Sequence, residues 1–170
     1  LYPSHEELAG LLSLMLLQHA RHPARVRDDT LIALDEQDRS LWRTDLLTEG
    51  TTLIKHTLAR KAPWPYQSQA AIAALHGEAQ TAVDTDWRQI AVLYAILEEQ
   101  LSNPVVTLNR AVAILHAGDP ETANALLQQL EAEHADRMQH YVPFLAARAH
   151  ALHSIAGNHS DAATTYIRAA

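Results

Sequence analysis

The fold of this 170-residue chain is decided by the stretch Pro104-Val-Val-Thr-Leu-Asn-Arg-Ala-Val-Ala-Ile-Leu-His-Ala-Gly118-Asp-Pro-Glu-Thr-Ala123. Proline begins a helix well, glycine ends one in the left-handed conformation, and alanine lets two helices approach closely. Residues 143–162 repeat the pattern, with the glycine again fourteen residues after the proline and five before an alanine. A repeated helical hairpin of this kind predicts a tetratricopeptide-like solenoid, which typically binds another protein.

Apolar spacing in the rest of the chain predicts further helices. We expect an all-α fold, a right-handed array of about eight antiparallel helices with the tetratricopeptide-like solenoid in its C-terminal half. The apolar run 8–17 is expected to be a core helix, and the second helix to begin at Asp38 or Ser40. The connector 24–37 is expected to turn at Asp28-Asp29.

The length favours one domain over residues 1–170. Its expected parts are an N-terminal helical part (1–65), a helical hairpin (66–103) and two tetratricopeptide-like hairpins (104–170), the last of which ends in a helix near 159–170. The chain begins with Leu1 rather than Met, so we expect a fragment of a longer protein.

The composition restricts the function. The net charge is −7, and an acidic chain is a poor ligand for nucleic acid, so a protein partner is the better expectation. No cysteine is present, which excludes disulfides and thiolate metal sites and fits a reducing cytoplasm. The longest apolar run is far shorter than the roughly 20 residues that a membrane span needs.

No motif predicts chemistry. The sequence has no nucleophile elbow, no phosphate-binding glycine loop and no HExxH pair, so we expect neither an enzyme nor a cofactor. Two histidine pairs, His19/His22 and His150/His153, have helical spacing, but zinc needs three or four ligands, and we expect no metal site.

The densest charged segment is 35–45. Its simplest interpretation is a helix N-terminus with an Asp35–Arg39 ion pair. In an alternative interpretation Arg21, Arg25 and Arg39 pair with Asp38 and Asp45, which would hold the first two helices together.

Partner contacts are expected on the first helix of the solenoid, where Asn109 suits a partner's backbone and Arg110 a carboxylate. The three tryptophans, Trp42, Trp64 and Trp87, are expected to be core residues or hydrophobic staples at helix ends, not an exposed stacking surface.

Five collinear motifs add a resemblance. They are Leu14-Met-Leu-Leu-Gln-His19-Ala-Arg21-His-Pro-Ala-Arg25, Leu34-Asp-Glu-Gln-Asp38-Arg39-Ser-Leu-Trp42, Pro65-Tyr-Gln67-Ser-Gln69-Ala-Ala-Ile-Ala-Ala-Leu-His76, Asp84-Thr-Asp86-Trp87-Arg-Gln-Ile90 with Leu93-Tyr94, and Asn103-Pro-Val-Val-Thr-Leu-Asn109-Arg110-Ala-Val-Ala113. In order and spacing they resemble the C-terminal extension of one group of bacterial extracytoplasmic-function RNA polymerase sigma factors.

The resemblance implies a cytoplasmic regulatory domain that contacts the sigma domains or the RNA polymerase core. It implies no catalytic residue, no membrane association and no direct binding of nucleic acid by this chain. Two alternatives stay open: an adaptor for an external protein or peptide, and a small-molecule sensor with Arg21, Arg25 and Asp38 at the edge of its pocket. The candidate binding residues are therefore Asn109, Arg110, Arg21, Arg25, Asp38 and Arg39.

Overall fold

In the computed structural model of the protein, residues 5–58 and 63–155 are described, and almost all of their regular structure is helical. The predicted all-α class is confirmed. The chain divides into two compact units, residues 1–86 and 87–170. That boundary falls inside the 66–103 segment that we expected to form one hairpin, and the single-domain organisation stays a prediction.

In its described residues the first unit contains three α-helices and an irregular connector. The helices are α1 (His5–Ala20), α2 (Thr44–Leu58) and α3 (Pro65–Glu78). Helix α1 packs against both α2 and α3, which also pack against each other. Helix α3 therefore belongs to the packing of the first unit.

Small residues bring α1 close to its two neighbours. A Cβ atom built on Gly10 lies 2.8 Å from the backbone nitrogen of Gln67 in α3. A Cβ atom built on Gly50 of α2 lies 2.8 Å from Cγ of Leu17. The hydroxyl of Ser13 donates to the carbonyl oxygen of Gly50 at 2.7 Å. The face of α1 that carries Gly10 and Ser13 therefore packs against α3 and α2.

The connector between α1 and α2 contains a two-residue antiparallel hairpin, β1 (Val26–Arg27) and β2 (Thr30–Leu31). The predicted turn at Asp28-Asp29 is confirmed, since both residues have a positive φ. The predicted start of the second helix is wrong. Asp38 caps a short 3-10 helix, Arg39–Leu41, by accepting from the backbone N–H of Ser40 at 2.9 Å. Trp42 is then extended, so α2 begins only at Thr44.

The second unit is a helical array. Its helices up to residue 155, where the described part ends, are α4 (Trp87–Gln100), α5 (Pro104–His116), α6 (Pro120–Glu133), the four-residue α7 (Ala135–Met138) and α8 (Val142–Ser154). Helix α4 packs on α5, α5 on α6, and α8 on both α5 and α6. An added helix that contacts both helices of the preceding hairpin is the packing expected of stacked helical repeats.

The α5–α6 hairpin has the predicted turn. Gly118 has a φ of 91°, and its N–H donates to the carbonyl oxygen of Leu115 at 3.1 Å. Asp119 then caps α6 by accepting from the backbone N–H of Thr122 at 3.0 Å. The predicted helix-contact residues of the hairpin, Ala111 and Ala123, are fully buried.

The 39-residue repeat is longer than a usual tetratricopeptide because α7 intervenes, and Met138 of α7 is buried in the core of the unit. The predicted turn at Gly157 and the predicted helix near 159–170 lie outside the described residues. Within the described parts of the chain, no helix has the length and apolar character needed to cross a membrane.

Candidate functional site

Helix α1 exposes a row of large apolar side chains. Leu8, Leu12 and Met15 are 49 %, 50 % and 60 % exposed, and their spacing places them on one face of the helix. The face that packs on the first unit carries Gly10, Ser13, Leu17 and Ala20 instead. The prediction of a core helix is therefore only partly right: one face of α1 is in the core and the other, here called the α1 stripe, is uncovered.

Two exposed aromatic residues lie at the start of α3, where α1 also begins. The backbone N–H of Tyr66 donates to the carboxylate of Glu7 at 3.1 Å, and Glu7 directly precedes Leu8 of the stripe. Trp64, at the N-cap of α3, is 51 % exposed and is therefore not a core residue. Tyr66 and Trp64 therefore add aromatic surface near one end of the α1 stripe.

The arginine candidates of the first unit converge on a buried tryptophan. Trp42 is only 5 % exposed. The guanidinium carbon of Arg39 lies 4.5 Å from the centre of its ring, and that of Arg21 lies 5.6 Å from it. Arg39 also donates from Nη1 to the carbonyl oxygens of His76 at 2.6 Å and Ala79 at 2.9 Å. Arg39 thus satisfies carbonyls at the C-terminal end of α3 while it lies on Trp42.

The acidic residues of the 35–45 segment do not neutralise this cluster. The predicted Asp35–Arg39 ion pair is wrong, because the two residues lie in separate short 3-10 helices and Arg39 turns toward α3. The alternative, in which Asp38 and Asp45 hold two helices together, is also wrong. Asp38 caps its own turn, and Asp45 pairs with Arg43 at 2.8 Å.

The electrostatics of Arg21 reflect its surroundings. Burial, together with the positive charges of Arg25 and Arg39, lowers the pKa of the Arg21 guanidinium to about 10. Burial also lowers the pKa of Arg39, while the nearby Asp84 carboxylate opposes that shift. Arg21, Arg25 and Arg39 are therefore brought close together as like charges.

The two candidates in the second unit are engaged with α4. Arg110 donates from Nη1 to a carboxylate oxygen of Glu98 at 2.5 Å, and the hydroxyl of Thr107 bonds to the other oxygen. Asn109 hydrogen-bonds the phenol of Tyr94, whose pKa is raised by burial despite that bond. These contacts fasten α5 to α4, and a role of Asn109 and Arg110 in binding a partner stays a prediction.

Histidine pairs are present in the structure without a metal-binding group around them. The rings of His19 and His22 are 5.9 Å apart. Over residues 5–58 and 63–155, no three His, Asp or Glu side chains come together in a way that would hold a metal ion.

Comparisons with known proteins match this chain to relatives without an assigned activity. Residues 1–58 match a family of unknown function, DUF6596. The chain is also 39 % identical over 170 residues to an uncharacterized protein of Rhizobium meliloti (strain 1021). The match covers 99 % of this chain but 39 % of the relative, so the chain spans about two fifths of that protein's length. No solved structure matches the chain.

Proposed function

We propose that this chain is a protein-interaction domain that regulates a bacterial sigma factor, and that it modulates transcription initiation by contacting the sigma domains or the RNA polymerase core. Two facts support the sigma context. The five motifs between residues 14 and 113 resemble the extension of one sigma-factor group, and the chain spans only about two fifths of its longer relative.

The α1 stripe is the observation that carries the proposal. One exposed leucine is ordinary on a protein surface, but Leu8, Leu12 and Met15 form a continuous row on one helix face. The helix does not need them for its own packing, because Gly10, Ser13 and Leu17 already fill the inner face. An uncovered apolar row on a helix is suited to the apolar groove or helix face of another protein domain.

The expected occupant is a sigma domain or polymerase surface in the longer protein's assembly. With a net charge of −7 the chain is suited to protein contact rather than to promoter DNA. The proposal assigns no catalytic step to these residues. It places the protein in the cytoplasm, where RNA polymerase works.

The test is in-vitro transcription with the full-length protein that contains this chain and with a version that lacks residues 1–170. We expect deletion to change initiation, and we expect Leu12→Glu on the stripe to reproduce much of that change. The matched control is Val92→Glu on α4, which makes the same substitution at an exposed apolar helix position of the other unit. Co-purification of the full-length protein with core polymerase provides the second readout.

Two results would count against parts of the proposal. If the full-length protein neither binds core polymerase nor supports initiation, the sigma context is wrong, and an adaptor for an external protein becomes the better proposal. If deletion changes initiation but Leu12→Glu behaves like Val92→Glu, the domain is regulatory and the docking face lies elsewhere.

A further inference from the structure

Among the described residues of the first unit, the guanidinium of Arg21 has no hydrogen-bond acceptor at its buried Nε. Most partly buried or paired arginines of the described residues bond to oxygen: Arg39 to two carbonyls, Arg110 to Glu98, and Arg148 to Glu131. Arg21 is half-buried, and among the described residues it has neither an ion pair nor a hydrogen-bond acceptor for its Nε. A guanidinium that serves packing alone normally finds an oxygen partner.

The charges that act on Arg21 are those of Arg25 and Arg39, and the nearby Asp84 carboxylate acts on Arg39 instead. Arg39 lies on the same Trp42 ring, and exposed Arg25 is near enough to act on the charge of Arg21. The indole N–H of Trp42 is also buried without an acceptor among the described residues. Like charges that lie close together and partly out of solvent repel one another, and a bound anion would reduce that repulsion.

We propose that Arg21, Arg39 and Trp42, here called the arginine–tryptophan cluster, form a binding site for a small oxyanion, a phosphate or a carboxylate. A guanidinium presents parallel N–H donors that match the two oxygens of such a group. The guanidinium groups of Arg21 and Arg39 both lie at the Trp42 ring, and the hydrogen bonds of Arg39 to carbonyl oxygens of His76 and Ala79 hold Arg39 in place. Arg21 then donates to the anion, and Arg25 adds positive charge.

The site needs arginine at position 21 because the parallel N–H donors of the guanidinium, and not only its charge, bind the oxyanion. Lysine has a point charge on a flexible stem and offers no parallel pair of donors. Arg39 is a positioning residue in this arrangement, since its Nη1 is already bonded to two carbonyl oxygens. The proposal does not depend on the sigma context, because it rests only on residues of the first unit.

The test follows the indole N–H signal of Trp42 in a ¹H–¹⁵N spectrum of the labelled 170-residue protein. Trp64→Phe and Trp87→Phe assign the three indole signals by elimination. Inorganic phosphate and citrate are titrated separately at pH 7, with sodium chloride used to hold ionic strength constant. We expect a saturable shift of the Trp42 signal with at least one anion, and comparison of the two titrations identifies the preferred oxyanion.

Three variants complete the experiment. Arg21→Gln should abolish the saturable shift, and Arg21→Lys, which keeps the charge and most of the stem, should also lose it while the rest of the spectrum stays folded. Arg88→Gln, at an exposed arginine of α4, should titrate like the wild type. The proposal is overturned if chloride alone gives the same shift, if neither anion gives a saturable shift, or if Arg21→Lys titrates like the wild type.

Discussion

Gly10→Ala tests the close approach of α1 and α3 that positions the whole first unit. Gly10 lies inside α1, and the added methyl carbon would sit 2.7 Å from Cγ and 2.8 Å from the backbone nitrogen of Gln67. Gln67 is 2 % exposed, and its Oε1 accepts from the backbone N–H of Trp64 at 3.0 Å, which holds the start of α3. Because backbone atoms of α3 block the methyl group, a change of side-chain rotamer cannot make room for it.

Two opposing effects decide the magnitude. Alanine in place of a mid-helix glycine favours the helix by about 1 kcal/mol. Overpacking costs about 1–3 kcal/mol, and the obstructing backbone of Gln67 places Gly10→Ala near the upper end. We therefore expect the free energy of unfolding to fall by about 2 kcal/mol.

Gly77→Ala on α3 is the matched control. Its methyl carbon would meet only Cδ2 of Leu47, at 3.0 Å, and the end of a flexible side chain can move aside. The higher helix propensity of alanine then outweighs the contact, and we expect Gly77→Ala to be neutral or to stabilise the protein by about 0.5 kcal/mol.

The assay is urea unfolding followed through Trp42 fluorescence, in a background where Trp64 and Trp87 are phenylalanine. The buried Trp42 reports on the first unit. An unchanged m value, the slope of the unfolding free energy against urea concentration, would show that the substitution changes stability alone. If Gly10→Ala raises the unfolding midpoint as much as Gly77→Ala does, the reasoning from the close approach of α1 and α3 is refuted.

Three further predictions concern the second unit. Leu127→Ala should lower the free energy of unfolding by about 2–5 kcal/mol, measured by urea unfolding followed by circular dichroism, because Leu127 is fully buried. In that measurement the exposed substitution Val92→Ala should stay within about 0.5 kcal/mol. Asn103→Ala should cost about 1 kcal/mol, measured by thermal unfolding, because it removes the N-cap of α5, and Asn103→Ser should restore most of it. Hydrogen bonds from Thr122 lower the pKa of Asp119 below 3.8, so its contribution to stability is present above that pH and is lost as the pH falls through the lower folded value. Circular dichroism during acid titration should therefore show a smaller loss of stability below pH 3.8 for Asp119→Asn, and an identical acid transition would contradict this account.

The sequence predicted the α5–α6 hairpin well because its signals are local. Pro104, Gly118 and Asp119 each act within one helical turn of their own position, and the buried Ala111 and Ala123 follow from the same pattern. The boundary between the two units was not predicted. That boundary depends on which helices pack together over long distances in sequence. The positions of glycine and proline residues do not indicate this packing.

The candidate site was predicted in its residues but not in its arrangement. The sequence indicated Arg21, Arg25 and Arg39, yet it paired Arg39 with nearby acids. In the structure the acceptors of Arg39 are carbonyl oxygens 37 and 40 residues away. Sequence patterns suggest ion pairs between residues that are close in sequence. Arg39 instead binds carbonyl oxygens at the C-terminal end of α3, which come near it only because α3 packs there.

The orientation of α1 was missed for a different reason. The run 8–17 is apolar on all sides, so its periodicity does not distinguish an inner face from an outer one. The decision comes from Gly10 and Ser13, whose small size permits close contact with α3 and α2. A signal was present in the sequence, since two small residues in a leucine-rich helix mark a face of close helix approach.

The α1 stripe lies near Arg21 of the arginine–tryptophan cluster, which directly follows the last residue of α1, and this proximity bears on regulation. Met15 and Arg21 are six residues apart, or about 9 Å along a helix axis, which is close to the screening length at physiological salt. An oxyanion on Arg21 would reduce the positive potential beside any partner docked on the stripe. Such a ligand regulates docking only if it binds the free and docked states with different affinities, and the partner must then change the anion's affinity by the same factor. A partner with acidic residues near Arg21 would compete with the anion, whereas a purely apolar partner would leave its affinity unchanged, so the charge of the docking surface determines whether the two sites are coupled.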